Sequence, residues 1–66
     1  MSSVSIIISQ YFAAAAGLTL RPDGVLLQNG DTLLQAKVAN GRISAQAHYD
    51  ILGLVAKQVP DRAALS

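Results

Sequence analysis

The chain of 66 residues contains no cysteine, no tryptophan and no glutamate, and its only histidine is His48. Without cysteine there is no disulfide and no thiolate metal site. A lone histidine does not anchor a metal site by itself. Charge is also scarce, at 14% of residues against roughly 25% in an ordinary soluble domain. The net charge of +1 gives no electrostatic argument for nucleic acid, an anionic membrane or an acidic substrate. A chain this short buries only about 60% of the surface its unfolded form exposes. Small domains usually add a disulfide, a metal or a partner subunit, and here the partner is the one that remains.

What the chain has in excess is apolar surface. Hydrophobic residues make up 52%, and nineteen residues are Leu, Ile or Val. So many aliphatics are hard to hide in one small body, and exposed apolar patches mark interaction surfaces. The first twenty residues, MSSVSIIISQYFAAAAGLTL, carry no charged side chain. They lack the basic start of a secretory signal. Ser5, Ser9 and Gln10 interrupt them, and they fall short of a span, which needs about 20 mostly apolar residues. They read as a buried or interface segment. No membrane span is expected. The expected location is cytoplasmic or particle-associated, with secretion left open.

Two local readings compete in this segment. As a helix, Val4, Ile7, Ile8, Tyr11, Phe12, Ala15 and Ala16 share one face. Ser2 or Ser3 would cap its start and Gly17 would end it. As a strand, SVSIIIS alternates and is rich in β-branched residues. The four alanines at 13–16 favour a helix through residue 16, with residues 3–8 open to either form.

The middle of the chain alternates about two Asn-Gly pairs, the strongest short-range hairpin signal. A turn at Asn40-Gly41 pairs Ala39 with Arg42, Val38 with Ile43, and so on to Leu34 with Ala47. Leu34, Ala36, Val38, Ile43, Ala45 and Ala47 then form a dry face, and Gln35, Lys37, Arg42, Ser44 and Gln46 a wet one. A turn at Asn29-Gly30 pairs Gln28 with Asp31, Leu27 with Thr32 and Leu26 with Leu33. Arg21-Pro22-Asp23-Gly24 suits a further turn, with Gly24 left-handed. On this register Val25 and Leu27 join the dry side, while Leu26 and Leu33 emerge on the polar side as a docking pair. After residue 48 the period changes. Asp50 would cap a helix whose Ile51, Leu52, Val55 and Val59 share a face, with Pro60 following its end. Gly53 weakens that helix by about 1 kcal/mol relative to Ala.

The expected fold is therefore α+β: a small antiparallel meander of about four strands, near 18–21, 25–28, 31–39 and 42–48, with two Asn-Gly hairpins. A helix or strand–helix segment precedes it and a short helix follows. The chain is read as one domain, with an apolar segment at 1–17, the meander at 18–48, a helix at 50–59 and a tail at 60–66, and it is expected to be oligomeric.

Motifs for nucleophilic, metal, phosphate-loop or dinucleotide chemistry are missing. Asp23 and Asp31 are explained by turns, Asp50 by a cap and Asp61 by the tail, so no paired carboxylates are expected. Ser44 and His48 would lie about 13 Å apart on one strand, too far for a hydrogen bond. No enzyme and no cofactor are expected. Lys37 and Arg42, with Gln35, Gln46 and His48, form a mildly basic strip that would suit phosphate or an acidic partner. The wet side of a half-exposed sheet accounts for the same strip. Aromatic platforms for single strands are few: Tyr11, Phe12 and Tyr49.

A helix followed by a bent meander, one strand of which opens after Asn-Gly, is similar to the Sm-like small barrels over about half the chain. The resemblance implies ring assembly and RNA binding; no family motif is matched. Two functions are carried forward. The first is a non-enzymatic assembly or protein-interaction module, a homo-oligomer or a small subunit of a larger particle such as a virion, with candidate interface residues Ile7, Ile8, Tyr11, Phe12, Leu26 and Leu33. The second is a small oligomeric nucleic-acid-binding regulator using Lys37 and Arg42.

Overall fold

A computed structural model describes the backbone of residues 2–65 and the side chains of residues 2–58. The elements run β1 (Ser3–Ser5), α1 (Ile6–Ala15), β2 (Thr19–Leu20), β3 (Val25–Gln28), β4 (Asp31–Gln35), β5 (Arg42–Ser44) and α2 (Ala45–Leu65). The α+β class holds. The single meander does not, because the described strands form two antiparallel sheets, β2-β3-β4 and β1-β5. The likeness to a small Sm-type barrel ends there.

Both readings of the N-terminal segment are realised, one after the other. Ser-Val-Ser is extended and pairs with β5, Val4 opposite Ile43. Ser5 then caps α1, its Oγ accepting from the Ile7 amide at 3.4 Å. The helix closes on a left-handed Gly17, φ +79. Leu18 N–H donates to Ala13 O at 2.8 Å and Gly17 N–H to Ala14 O at 3.1 Å. That is the bonding of a glycine cap, accompanied by contact between the residues on either side of it. Ala13 and Leu18 are both buried.

The two Asn-Gly pairs turn the chain as expected, with positive φ at Asn29, Gly30, Asn40 and Gly41. Around the first, Gln28 faces Asp31 and Leu27 faces Thr32, but Leu26 then faces Leu34. Leu33 is the extra residue of a bulge. Because side chains alternate with a period of two, that single insertion reverses the faces. Leu26 and Leu34 turn to the core, and Leu33 turns out. Val25 and Leu27 are half-buried. Around the second turn the ladder stops at Ala39 and Arg42, which exchange two bonds at 3.0 Å. The long hairpin through residues 34–47 is replaced by pairing of β5 with β1. Its two-sided alternation survives as burial. Leu34, Ala36 and Val38 are half-buried, while Gln35, Lys37 and Ala39 are exposed.

Ser44 ends β5 because it starts α2, its Oγ accepting from the Ala47 amide at 3.1 Å. Ala45, Gln46 and Ala47 are strong helix formers, so the helix begins five residues earlier than the cap expected at Asp50. Asp50 instead accepts from Gln46 Nε2 at 2.9 Å, one turn back. The backbone stays helical through Pro60 to Leu65, so the expected end before Pro60 and the separate tail are corrected. Ile51 and Val55 are buried and Leu52 is half-buried. The Val59 side chain lies outside the described residues.

The interior is one layer thick. Principal extents are 39 × 24 × 15 Å, and Ile6, Ala13, Leu26, Ile43 and Ile51 fill the space between the helices and the strands. A slab this thin leaves no second layer in which bulky aliphatics can hide.

Candidate functional site

α1 turns its small face inward. Ile6, Ser9, Ala13 and Ala16 are buried, and three of these four are small enough to bring the helix backbone close to the core. The bulky residues point the other way. Tyr11 is 75% exposed, Ile7 58%, and Ile8 and Phe12 47% each. Of the seven residues expected on one apolar face, Val4 lies in β1 instead and Ala16 is buried on the inner side; Ile7, Ile8, Tyr11, Phe12 and Ala15 do share a face, and it is the outer one. It reads as two ridges, Ile7–Tyr11–Ala14 and Ile8–Phe12–Ala15, each spaced four and then three residues. A shallow hollow of about 340 Å³ lies along the first ridge, lined by Ile7, Gln10, Tyr11 and Ala14.

The apolar surface extends onto α2. The Phe12 and His48 rings meet edge to face with centroids 6.3 Å apart, and Tyr49 stands 5.9 Å beyond His48. Tyr49 is 66% exposed. Two polar ties hold α1 in this pose. Gln10 Nε2 donates to Leu20 O at 3.1 Å, and Ser9 Oγ shares a hydrogen bond with His48 Nδ1 at 2.7 Å. Local sequence reasoning misses the second tie. It weighs His48 only against Ser44, on a strand that the structure replaces with a helix. The legible signal is Ser9 itself, a hydroxyl between Ile6 and Ala13 on the inner face, which must find a partner if buried. Ser9 is fully buried, so a substrate has no access to its hydroxyl, and the pair acts as a clasp between helices.

The remaining candidate residues separate. Leu33 is exposed on β4, away from α1 in the chain's second sheet. Leu26 is fully buried, so it is removed from the candidate interface; the bulge at Leu33 is the reason. Lys37 and Arg42 do come together, on a cleft of about 410 Å³ whose walls include Ser2, Ser3, Asn40 and Ser44. Arg42 is already engaged there. Its Nε donates to Ser3 Oγ and a terminal nitrogen to Ser3 O, both at 2.8 Å. Among the described residues no helix is long and apolar enough to cross a membrane.

No family model, curated protein or solved structure matches the chain.

Proposed function

We propose that this chain is a non-enzymatic protein-interaction module that works as a homo-oligomer or as a small subunit of a larger assembly. The observation that carries the reading is the orientation of α1. Ile6, Ser9, Ala13 and Ala16 face the core while Ile7, Ile8, Tyr11 and Phe12 face solvent. Leaving several large apolar side chains about half in water forgoes on the order of 1 kcal/mol for each that a contact would bury. A helix is oriented this way when its outer face has something to bury it, and aromatic residues are the type enriched at interface centres. Native mass spectrometry of the protein purified from its source tests the proposal. A stable complex containing this chain is expected, and a lone monomer at micromolar concentration would refute it.

The nucleic-acid reading keeps one specific support. Lys37 and Arg42 share a cleft with hydroxyl and amide groups, and among the described residues no carboxylate lines it. It ranks second because part of the Arg42 guanidinium is taken up by Ser3.

A further inference from the structure

We propose that the occupant of the outer α1 face is a second copy of this chain, packed with its own α1 antiparallel to the first about a two-fold axis near Tyr11 and Phe12. This rests on the reading of the chain as an interaction module and names the partner.

Three features of the face point to a copy of itself. The first is taper. Each outer ridge falls from bulky to small along the helix, Ile7 and Tyr11 giving way to Ala14, and Ile8 and Phe12 to Ala15. A parallel neighbour would set thick against thick at one end and leave a gap at the other. An antiparallel copy lays Ile7 and Ile8 over the partner's Ala14 and Ala15, and the operation is reciprocal, as a two-fold interface requires. The hollow beside Ala14 is where the partner's bulky end would sit.

The second is charge. α1 carries no acidic or basic residue, and neither does any position from 1 to 20. A foreign partner is usually selected by complementary charge around the contact, and this face offers none. Self-pairing needs none, and it places no like charges opposite each other. The dipoles of the two antiparallel helices also oppose.

The third is area. With an aromatic side chain worth about 150–250 Å², the exposed shares of Tyr11, Phe12, Tyr49 and the two isoleucines come to on the order of 600 Å². Exposed Ala14 and Ala15 bring the face toward the roughly 800 Å² per partner of a standard interface. One copy of this face covers another with little left over.

The test is sedimentation of the full chain through the micromolar range, with circular dichroism to confirm folding. A dimer is expected for the parent. Ala14→Arg, on an exposed helical position that tolerates a long side chain, should raise the dissociation constant at least about tenfold by blocking the partner's isoleucines while leaving the helical signal intact. Because the chain has no cysteine, single cysteines report geometry directly. A mixture of Ile8→Cys and Ala15→Cys chains should cross-link to each other in preference to either alone. Preferential Ile8–Ile8 linkage would overturn the antiparallel arrangement. A dimer indifferent to Ala14→Arg would overturn the α1 interface while sparing the interaction reading. A parent that stays monomeric here, yet is found in a complex in its source, would replace the second copy with a different protein.

Discussion

Ser9 and His48, 39 positions apart in the chain, meet at 2.7 Å across the two helices, and Ser9 is buried without residue to spare. This pair, together with the Gln10–Leu20 bond and the burial of Ile6 and Ala13, holds the inner side of α1 against the core. Rotating α1 to bury Tyr11 and Ile7 would move Ser9 away from its only side-chain partner among the described residues.

The two members of the pair should respond unequally to truncation. Ser9→Ala removes a buried hydroxyl and leaves the half-buried imidazole able to reach water, at a cost of about 1 kcal/mol. His48→Ala strands the hydroxyl in the core and removes the ring from Phe12, at about 2–3 kcal/mol. Urea denaturation of both single variants and the double variant gives the coupling, expected near 1 kcal/mol. A coupling of zero would mean the hydrogen bond contributes nothing to the fold.

Legibility in the sequence followed the range of each signal. Short-range chemistry was readable. Both Asn-Gly turns, the turn at residues 21–24, the end of α1 at Gly17 and the alternating burial of residues 34–38 all rest on residues a few positions apart. What failed depended on choices between distant partners. β5 had a hairpin mate ready at Ala36–Val38 and took β1 instead, through Val4 and the Arg42–Ser3 bonds. Ala45 and Ala47 continue the alternating pattern of a strand, but their helix propensity is higher, and Ser44 caps the helix they open. One bulge at Leu33 exchanged the roles of Leu26 and Leu33. For the candidate site, the four bulky α1 residues were found as a group, but their outward direction follows from contacts of the opposite face with distant residues, Ser9 with His48 and Gln10 with Leu20.

Gly24 is expected to be the glycine least tolerant of substitution. Its φ is +95°, and a Cβ there would overlap the carbonyl oxygen of Ala36. The same backbone approach carries the Ala36 N–H to Gly24 O bond at 2.8 Å. Gly24→Ala must therefore break the approach or distort the turn, at more than about 2 kcal/mol. Gly41→Val meets no neighbour and suffers only from positive φ, at more than about 1 kcal/mol. Denaturant midpoints should rank parent, Gly41→Val and Gly24→Ala in falling order; the reverse order of the two variants would contradict the packing of residue 36.

Gly53 invites the opposite change. It lies within α2, exposed, with open space where a Cβ would stand. Gly53→Ala should stabilise the fold by about 0.5–1 kcal/mol through reduced freedom of the unfolded chain. Thermal melts of the two proteins check this directly. A loss of stability would indicate that something approaches residue 53 from outside the chain.

The contact surface and the basic cleft can be separated in one set of variants. Lys37→Glu reverses the charge that has no bonded partner among the described side chains, so it leaves the fold intact. Arg42→Glu also removes the two bonds to Ser3 and must be read beside a stability measurement. If the cleft contacts phosphates, each lost contact lowers the log–log salt slope on duplex DNA by about 0.9, and the double variant lowers it by about 2. If the chain is an interaction module, both variants keep their oligomeric state, because charged rim positions supply little association energy. Tyr11→Asp should then disperse the assembly, since it sets a carboxylate in the centre of the apolar face. Leu33→Asp tests the exposed sheet edge in the same way. Leu26→Asp tests nothing about contact, because a carboxylate in the core unfolds the chain first. Assembly lost with Tyr11→Asp and kept with Lys37→Glu is the expected result. Salt-sensitive nucleic-acid binding abolished by Lys37→Glu, with Tyr11→Asp harmless, would transfer the function to the cleft.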